Sequence, residues 1–142
     1  MKKLWAGLMA LVVSVVIAQG AWAADVASVK AQLMVARENA VALLSATDVA
    51  AQDKFVAEIA KATAAVDAGV AALLADKGTA AEVAAKIKEF QETWGPFKQT
   101  RDGEIVPMLR AGKKDEATVL LKGIQAERFK KLLAALEAAG AK

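Results

Sequence analysis

Apolar residues recur along most of this chain at alternating spacings of three and four, the interval that lines side chains up on one face of an α-helix. The pattern is cleanest from Asp25 to Ala46, where Val26, Val29, Leu33, Ala36, Ala40 and Leu43, with Thr47 beyond them, follow one another without a miss. This predicts a first bundle helix with Asp25 as its N-cap. The rhythm then changes phase and restarts at Phe55, running through Ile59, Ala62, Val66, Gly69 and Leu73. A turn near Thr47 and Asp48, one of them capping the second helix, accounts for the shift. Asp76-Lys77-Gly78 is expected to end that helix, with Gly78 in the left-handed conformation that glycine adopts at no steric cost.

Thr79-Ala80-Ala81-Glu82 has the form of a capping box, in which hydroxyl and carboxylate each satisfy a free amide of the first turn. The seam of the third helix reads Val83, Ile87, Phe90, Trp94, Phe97, Arg101, Ile105 and Met108, and its phase runs straight through Gly95-Pro96. An interior proline removes a hydrogen bond and crowds the preceding turn, so the maintained phase predicts a kink and not a stop. Pro107 repeats the problem near the end, and Ala111-Gly112 closes the helix. Lys113-Lys114-Asp115-Glu116 opens a fourth, with acidic residues where the helix dipole favours them. Its apolar positions are Ala117, Leu121 and Ile124, then Phe129, Leu132, Leu133 and Leu136, and it ends at Gly140. Alternating β-branched segments are not found. The expected fold is all-α: an antiparallel up-down-up-down four-helix bundle over 24–142 with its termini at one end.

Residues 1–23 read as processing signal before they read as structure. Lys2 and Lys3 precede a predominantly apolar run from Leu4 to Ala18, and Ala21-Trp22-Ala23 forms an A-x-A cleavage site after the polar break at Gln19-Gly20. This is the layout of a secretory signal peptide, and it predicts an exported, periplasmic protein. The alternative is an uncleaved N-terminal membrane anchor, since Leu4 to Ala23 is long enough to span a bilayer. Cleavage removes two lysines and no acid, taking the formal charge from +3 to +1. The remaining charge is interspersed, with no basic stripe carrying interleaved aromatics, so nucleic acid is not an expected partner.

Composition narrows the chemistry further. Of 142 residues 56% are apolar, yet 35 are alanine, so the core is built largely from small side chains. Cysteine and histidine are both absent. That excludes disulfides, thiolate or imidazole metal sites, covalent haem attachment and any histidine- or cysteine-dependent catalytic dyad or triad. No glycine-rich phosphate loop or nucleophile elbow is present. Neither an enzyme nor a bound cofactor or metal is expected.

The segment from Trp94 to Phe129 carries the most distinctive pattern: an aromatic, an Arg-Asp pair, spaced aliphatics, a glycine turn, then an acidic residue followed by alanine. At Trp94, Phe97, Arg101, Asp102, Ile105, Leu109, Gly112, Glu116, Ala117 and Leu121 it resembles the four-helix-bundle sensor domain of methyl-accepting chemotaxis receptors. Receptors of that family carry a second transmembrane helix and cytoplasmic signalling modules after the fourth helix, whereas no second apolar run of spanning length follows Ala23 here. The resemblance therefore implies a stand-alone exported version of the sensor fold. It implies as partners a small anionic or aromatic ligand and either a homodimer paired through the first helix or a membrane receptor.

Arginine is the rarer cation, at Arg37, Arg101, Arg110 and Arg128, and only arginine grips a carboxylate in bidentate fashion. Arg101 lies on an apolar seam beside Asp102, where it serves either as a buried, carboxylate-paired register residue or as an anion receptor. Arg37, with Glu38 and Asn39, falls mid-way along the first helix. Arg37, Asn39, Arg101 and Arg128 are the candidate ligand-binding residues. Phe90, Trp94 and Phe97 form an aromatic run that either fills an alanine-rich core or lines a pocket near Pro96. The functional expectation is a non-enzymatic sensor-like protein that binds a small molecule or a membrane receptor partner. The alternative is an interaction bundle with no metabolite at all.

Overall fold

In a computed structural model, residues 26–141 of the chain are described. The signal segment 1–23 and the cap at Asp25 lie outside them. Helix α1 covers 26–43, α2 Val49–Ala75, α3 Ala81–Thr100, α4 Val106–Arg110, α5 Lys114–Lys122 and α6 Ile124–Ala138, with a π-helical turn over Arg101–Ile105 joining α3 to α4. Among the described residues there is no strand. Four rods result: α1, α2, the continuous run from α3 through α4, and α5 with α6.

The predicted seam of α1 is the buried one, since Val26, Val29, Leu33, Ala36, Ala40 and Leu43 are all shielded from solvent, while Thr47 is exposed in the following turn. Asp48 caps α2, its carboxylate accepting from the Ala51 amide at 2.7 Å. The packing partners establish the antiparallel order. One apolar cluster joins the start of α1 (Val26, Val29, Leu33) to the end of α2 (Val66, Val70, Leu73), the start of α3 (Ile87, Phe90, Trp94) and the end of α6 (Leu132, Leu136). The other joins the end of α1 (Ala40, Leu43) to Ile59 of α2, Ile105, Leu109 and Ala117 of α5. Val26 and Ala141 both belong to the first cluster, so the two ends of the described chain meet at one end of the bundle.

Three local expectations differ from what is found. Gly78 is not left-handed; positive φ among the described residues occurs only at Gly112 and Gly140. The Asp76 side chain does the work instead, accepting from the Gly78 amide at 2.8 Å and turning the chain within two residues. The capping box is also not formed. The third helix starts at Ala81 with Ala80 at the cap, one residue later than the box requires, which leaves the buried Thr79 hydroxyl without a partner. Helix α3 runs on through Pro96, as the maintained phase requires, and an irregularity follows downstream as the π turn, where the Val106 amide reaches back five residues to the Arg101 carbonyl. Asp102-Gly103 are weak helix formers. Pro107 has no amide to offer the Gly103 carbonyl, so a wide turn immediately before it loses little. Finally, Ile124 is 46% exposed. Gly123 (φ −91°, ψ −108°) breaks the fourth rod, and the phase slips by one so that Gln125 takes the interior place.

The ends of α4 and α6 share one closure. The Lys113 amide bonds to the Met108 carbonyl at 2.8 Å and the Ala141 amide to the Leu136 carbonyl at 3.0 Å, each spanning a left-handed glycine.

The approach of α1 to α2 depends on Gly69, because a Cβ there would stand 2.6 Å from Val29 Cγ2. Alanine at 69 gains about 1 kcal/mol in helix propensity but must displace a buried, rotamer-restricted valine, an overpacking cost of about 1–3 kcal/mol. Gly69→Ala is expected to lower Tm in the parent protein and to raise it in a Val29→Ala background. Thermal melts of the four proteins check this, and a rise in the parent would show that the helices are not in contact there.

Candidate functional site

The two apolar clusters do not touch end to end. Between Phe97 of the first and Ile105 of the second, the bundle carries a layer of buried polar side chains: Thr100, Arg101 and Gln125, at 8%, 2% and 1% exposure. Arg101 opens the π turn. Its Nε and Nη2 donate to the two carboxylate oxygens of Asp102 at 2.8 and 3.1 Å, so the carboxylate partner is the neighbouring Asp102. Its Nη1 is buried and has no hydrogen-bond partner. Arg101 also lies 5.8 Å from the Trp94 ring centre, a cation–π distance.

Gln125 reaches this layer because of the phase slip at Gly123. Its Nε2 donates to the Phe97 carbonyl at 3.0 Å and its Oε1 accepts from Arg128 Nη1 at 3.1 Å, a pair of contacts that fixes which way the amide faces. The same Arg128 nitrogen donates to Thr100 Oγ1 at 2.8 Å and to the Pro96 carbonyl at 3.4 Å. Arg128 thus clamps α6 to α3 and holds Gln125 in place.

Against this layer lies a cavity of ≈ 240 Å³ framed by α1, α3, α5 and α6. Arg37, Arg101 and Lys122 contribute to its wall, as do Gln125 and Phe97; the remaining lining is aliphatic, and no carboxylate takes part. Asp102 lines a different cavity, of ≈ 400 Å³, on the α2 side, together with Thr63, Asp67 and Arg101. The guanidinium therefore stands between two cavities. Nε and Nη2 hold Asp102, which lines the cavity on the α2 side.

The other sequence candidates fall at or near this level. Arg37 is half-buried on α1, its guanidinium carbon 4.1 Å from the Phe129 ring centre. Asn39 does not line the cavity; its amide donates to the Val35 carbonyl at 2.9 Å, a bond within its own helix. Phe90, Trp94 and Phe97 form a continuous stack at 5.6 and 5.7 Å that continues to Phe129 at 6.4 Å. Phe90 and Trp94 fill the first cluster, where Trp94 Nε1 donates to Asp67 at 2.7 Å, and Phe97 alone of the three reaches the cavity wall. Sequence reasoning did not single out Lys122 and Gln125. Lys122 resembles every other surface lysine, and Gln125 reads as a solvent-facing position until Gly123 is known to break the helix.

A family model described as a four-helix-bundle sensory module for signal transduction matches residues 23–140. The chain belongs to that family. The sensory module is that of chemotaxis receptors, a signalling module and not a catalytic one. Comparison with curated proteins and with solved structures returns no match. Among the described residues of this sensory module, no helix is long and apolar enough to cross a membrane, and no acidic group is arranged to hold a metal.

A buried charge with a donor left over is an expensive way to hold a bundle together, because the desolvation of the ion outweighs what an incomplete set of partners returns. Asp102, 56% exposed, is a solvent-screened partner. Arg101→Met, of similar length, is therefore expected to leave the ligand-free module as stable as before or to stabilise it by up to about 4 kcal/mol. Chemical denaturation measures this. A loss of more than about 1 kcal/mol, a Tm drop of several degrees, would assign the arginine to stability.

Proposed function

We propose that this sensory module binds a small organic anion in the cavity at its polar layer, and that it works outside the cytoplasm after export. The observation that carries the reading is Arg101: an interior guanidinium with one unpartnered donor, at a cavity whose other charged residues are Arg37 and Lys122. Buried polar groups are nearly always satisfied, and an anion would satisfy this one. In this reading Arg37 and Lys122 add positive potential nearer the surface, and Phe97 with the aliphatic wall packs the body of the ligand. Arg128 is a positioning residue acting through Gln125, and Asn39 belongs to α1 itself. The lining holds no carboxylate, hydroxyl or imidazole, so the role is recognition without chemistry. The cavity is smaller than the about 300–1,000 Å³ usual for drug-sized ligands, which points to a metabolite of modest size. Export rests on the charged, apolar and A-x-A segments of 1–23.

Two outcomes are expected. A screen of organic acids by thermal shift finds a ligand that adds about 2.7 kcal/mol of stability at one hundred times its Kd. Arg101→Met loses binding by about ten- to a hundredfold, the worth of a charge-assisted hydrogen bond. A bound acid whose Kd is untouched by Arg101→Met sinks the assignment. Separately, N-terminal sequencing of protein recovered from the periplasm begins at Ala24; a chain that keeps Met1 and stays with the membrane fraction overturns the cleaved signal.

A further inference from the structure

Taking the cavity at the polar layer as the ligand site, we infer that it selects carboxylates that carry an apolar body and no ammonium group, and so discriminates against free amino acids. The inference rests on the reading of Arg101 above and extends it from charge to ligand class. What decides it is the inventory of acceptors. A zwitterionic amino acid needs donors for its carboxylate and acceptors for three ammonium hydrogens. The cavity provides donors in Arg37, Arg101 and Lys122, but Gln125 Oε1 is the only acceptor among its lining side chains. That oxygen already accepts from Arg128 at 3.1 Å, in a contact that also locks the amide onto the Phe97 carbonyl. The nearest carboxylate of the layer, Asp102, forms the wall of the other cavity and is held by both Nε and Nη2 of Arg101. Among the lining side chains, an ammonium bound beside Arg101 would meet cations, apolar groups and one amide oxygen already in use, a poor setting for a second positive charge. A plain acid meets the opposite: its carboxylate meets the cationic side chains of Arg37, Arg101 and Lys122, and its hydrocarbon part meets Phe97 and the aliphatic wall.

The test uses matched pairs that differ by one amino group: hexanoate against 2-aminohexanoate, and 3-phenylpropanoate against phenylalanine. Each is titrated calorimetrically into the purified protein and into Arg101→Met and Arg37→Gln. The expected result is that at least one plain acid binds, that its amino analogue binds at least tenfold more weakly, and that Arg101→Met weakens the acid's binding by about ten- to a hundredfold while circular dichroism stays helical. Should Arg101→Met fail to fold, Arg37→Gln, on a half-buried residue of α1, carries the same assignment with a severalfold rise in Kd. An amino analogue that binds as tightly as its acid, or more tightly, overturns the ligand class while leaving the cavity as the site. Failure of every probe to bind, or binding unchanged in both variants, overturns the site reading itself and this inference with it.

Discussion

The arrangement of this bundle turns on one interior charge. Two apolar clusters are separated by a layer containing a guanidinium that is 2% exposed. Taking such an ion out of water costs several kcal/mol even after relaxation. Its bidentate pair with Asp102 returns part of that, less than a fully buried pair would, because the carboxylate is more than half in solvent. The neighbouring features follow from that burden. Thr100 and Gln125 share the layer, and Arg128 satisfies both of them with a single nitrogen. The widened turn at Arg101–Ile105 falls at the same level, as irregular helical turns often do at functional sites.

Placement at mid-bundle gives the layer a reach that a surface site lacks. The adjoining cavity is framed by α1, α3, α5 and α6, so under the reading proposed for it any ligand interacts with three of the four rods at once. A ligand can shift a conformational equilibrium only by its difference in affinity between the two states. Contacts divided among several rods are the kind that change when rods slide or tilt. The rods are otherwise tied at discrete points, among them Lys98 and Trp94 to Asp67 between α3 and α2, and Arg110 to Asp53 near the opposite end. Most of these are partly exposed and individually weak, so shape is governed by the clusters and by what happens between them.

Much of the fold was legible from periodicity alone. The seam of α1 is buried as the spacing requires, and Ile87, Phe90, Trp94, Phe97, Arg101 and Ile105 occupy the interior of the third rod in the predicted phase. Burial on one helix face is a property of that face, and local pattern reports it. What the pattern could not report depends on partners distant in sequence or on single-residue slips. Thr79 satisfies the spelling of a capping box, but the helix begins one residue too late for it. Gly123, at φ −91° and ψ −108°, breaks a rod that periodicity would carry straight through, and a side chain in that conformation would meet the Val119 carbonyl, since an added Cβ would stand 2.9 Å from it. Arg101 could be singled out because a charge on an apolar seam is anomalous. Gln125 and Lys122 could not, since nothing in their local sequence marks them.

The cavity itself has a compositional origin. An alanine-rich bundle has too little side-chain volume to fill its interior uniformly, and this one places its large residues unevenly: the aromatic stack fills the first cluster, with leucines and isoleucines in the second. Beside the polar layer α1 presents Ala36 and, at the edge of the second cluster, Ala40, both buried and both lining the same cavity as Arg101. Larger aliphatic residues at those two positions would restore the dispersion contacts that a void forfeits, but they would also press hydrocarbon against an ion that still has a donor to satisfy. Small residues beside a buried cation leave room for something polar to complete it. Space and charge therefore arise at the same level from the same constraint, and the proposed binding site rests on this coincidence more than on either feature alone.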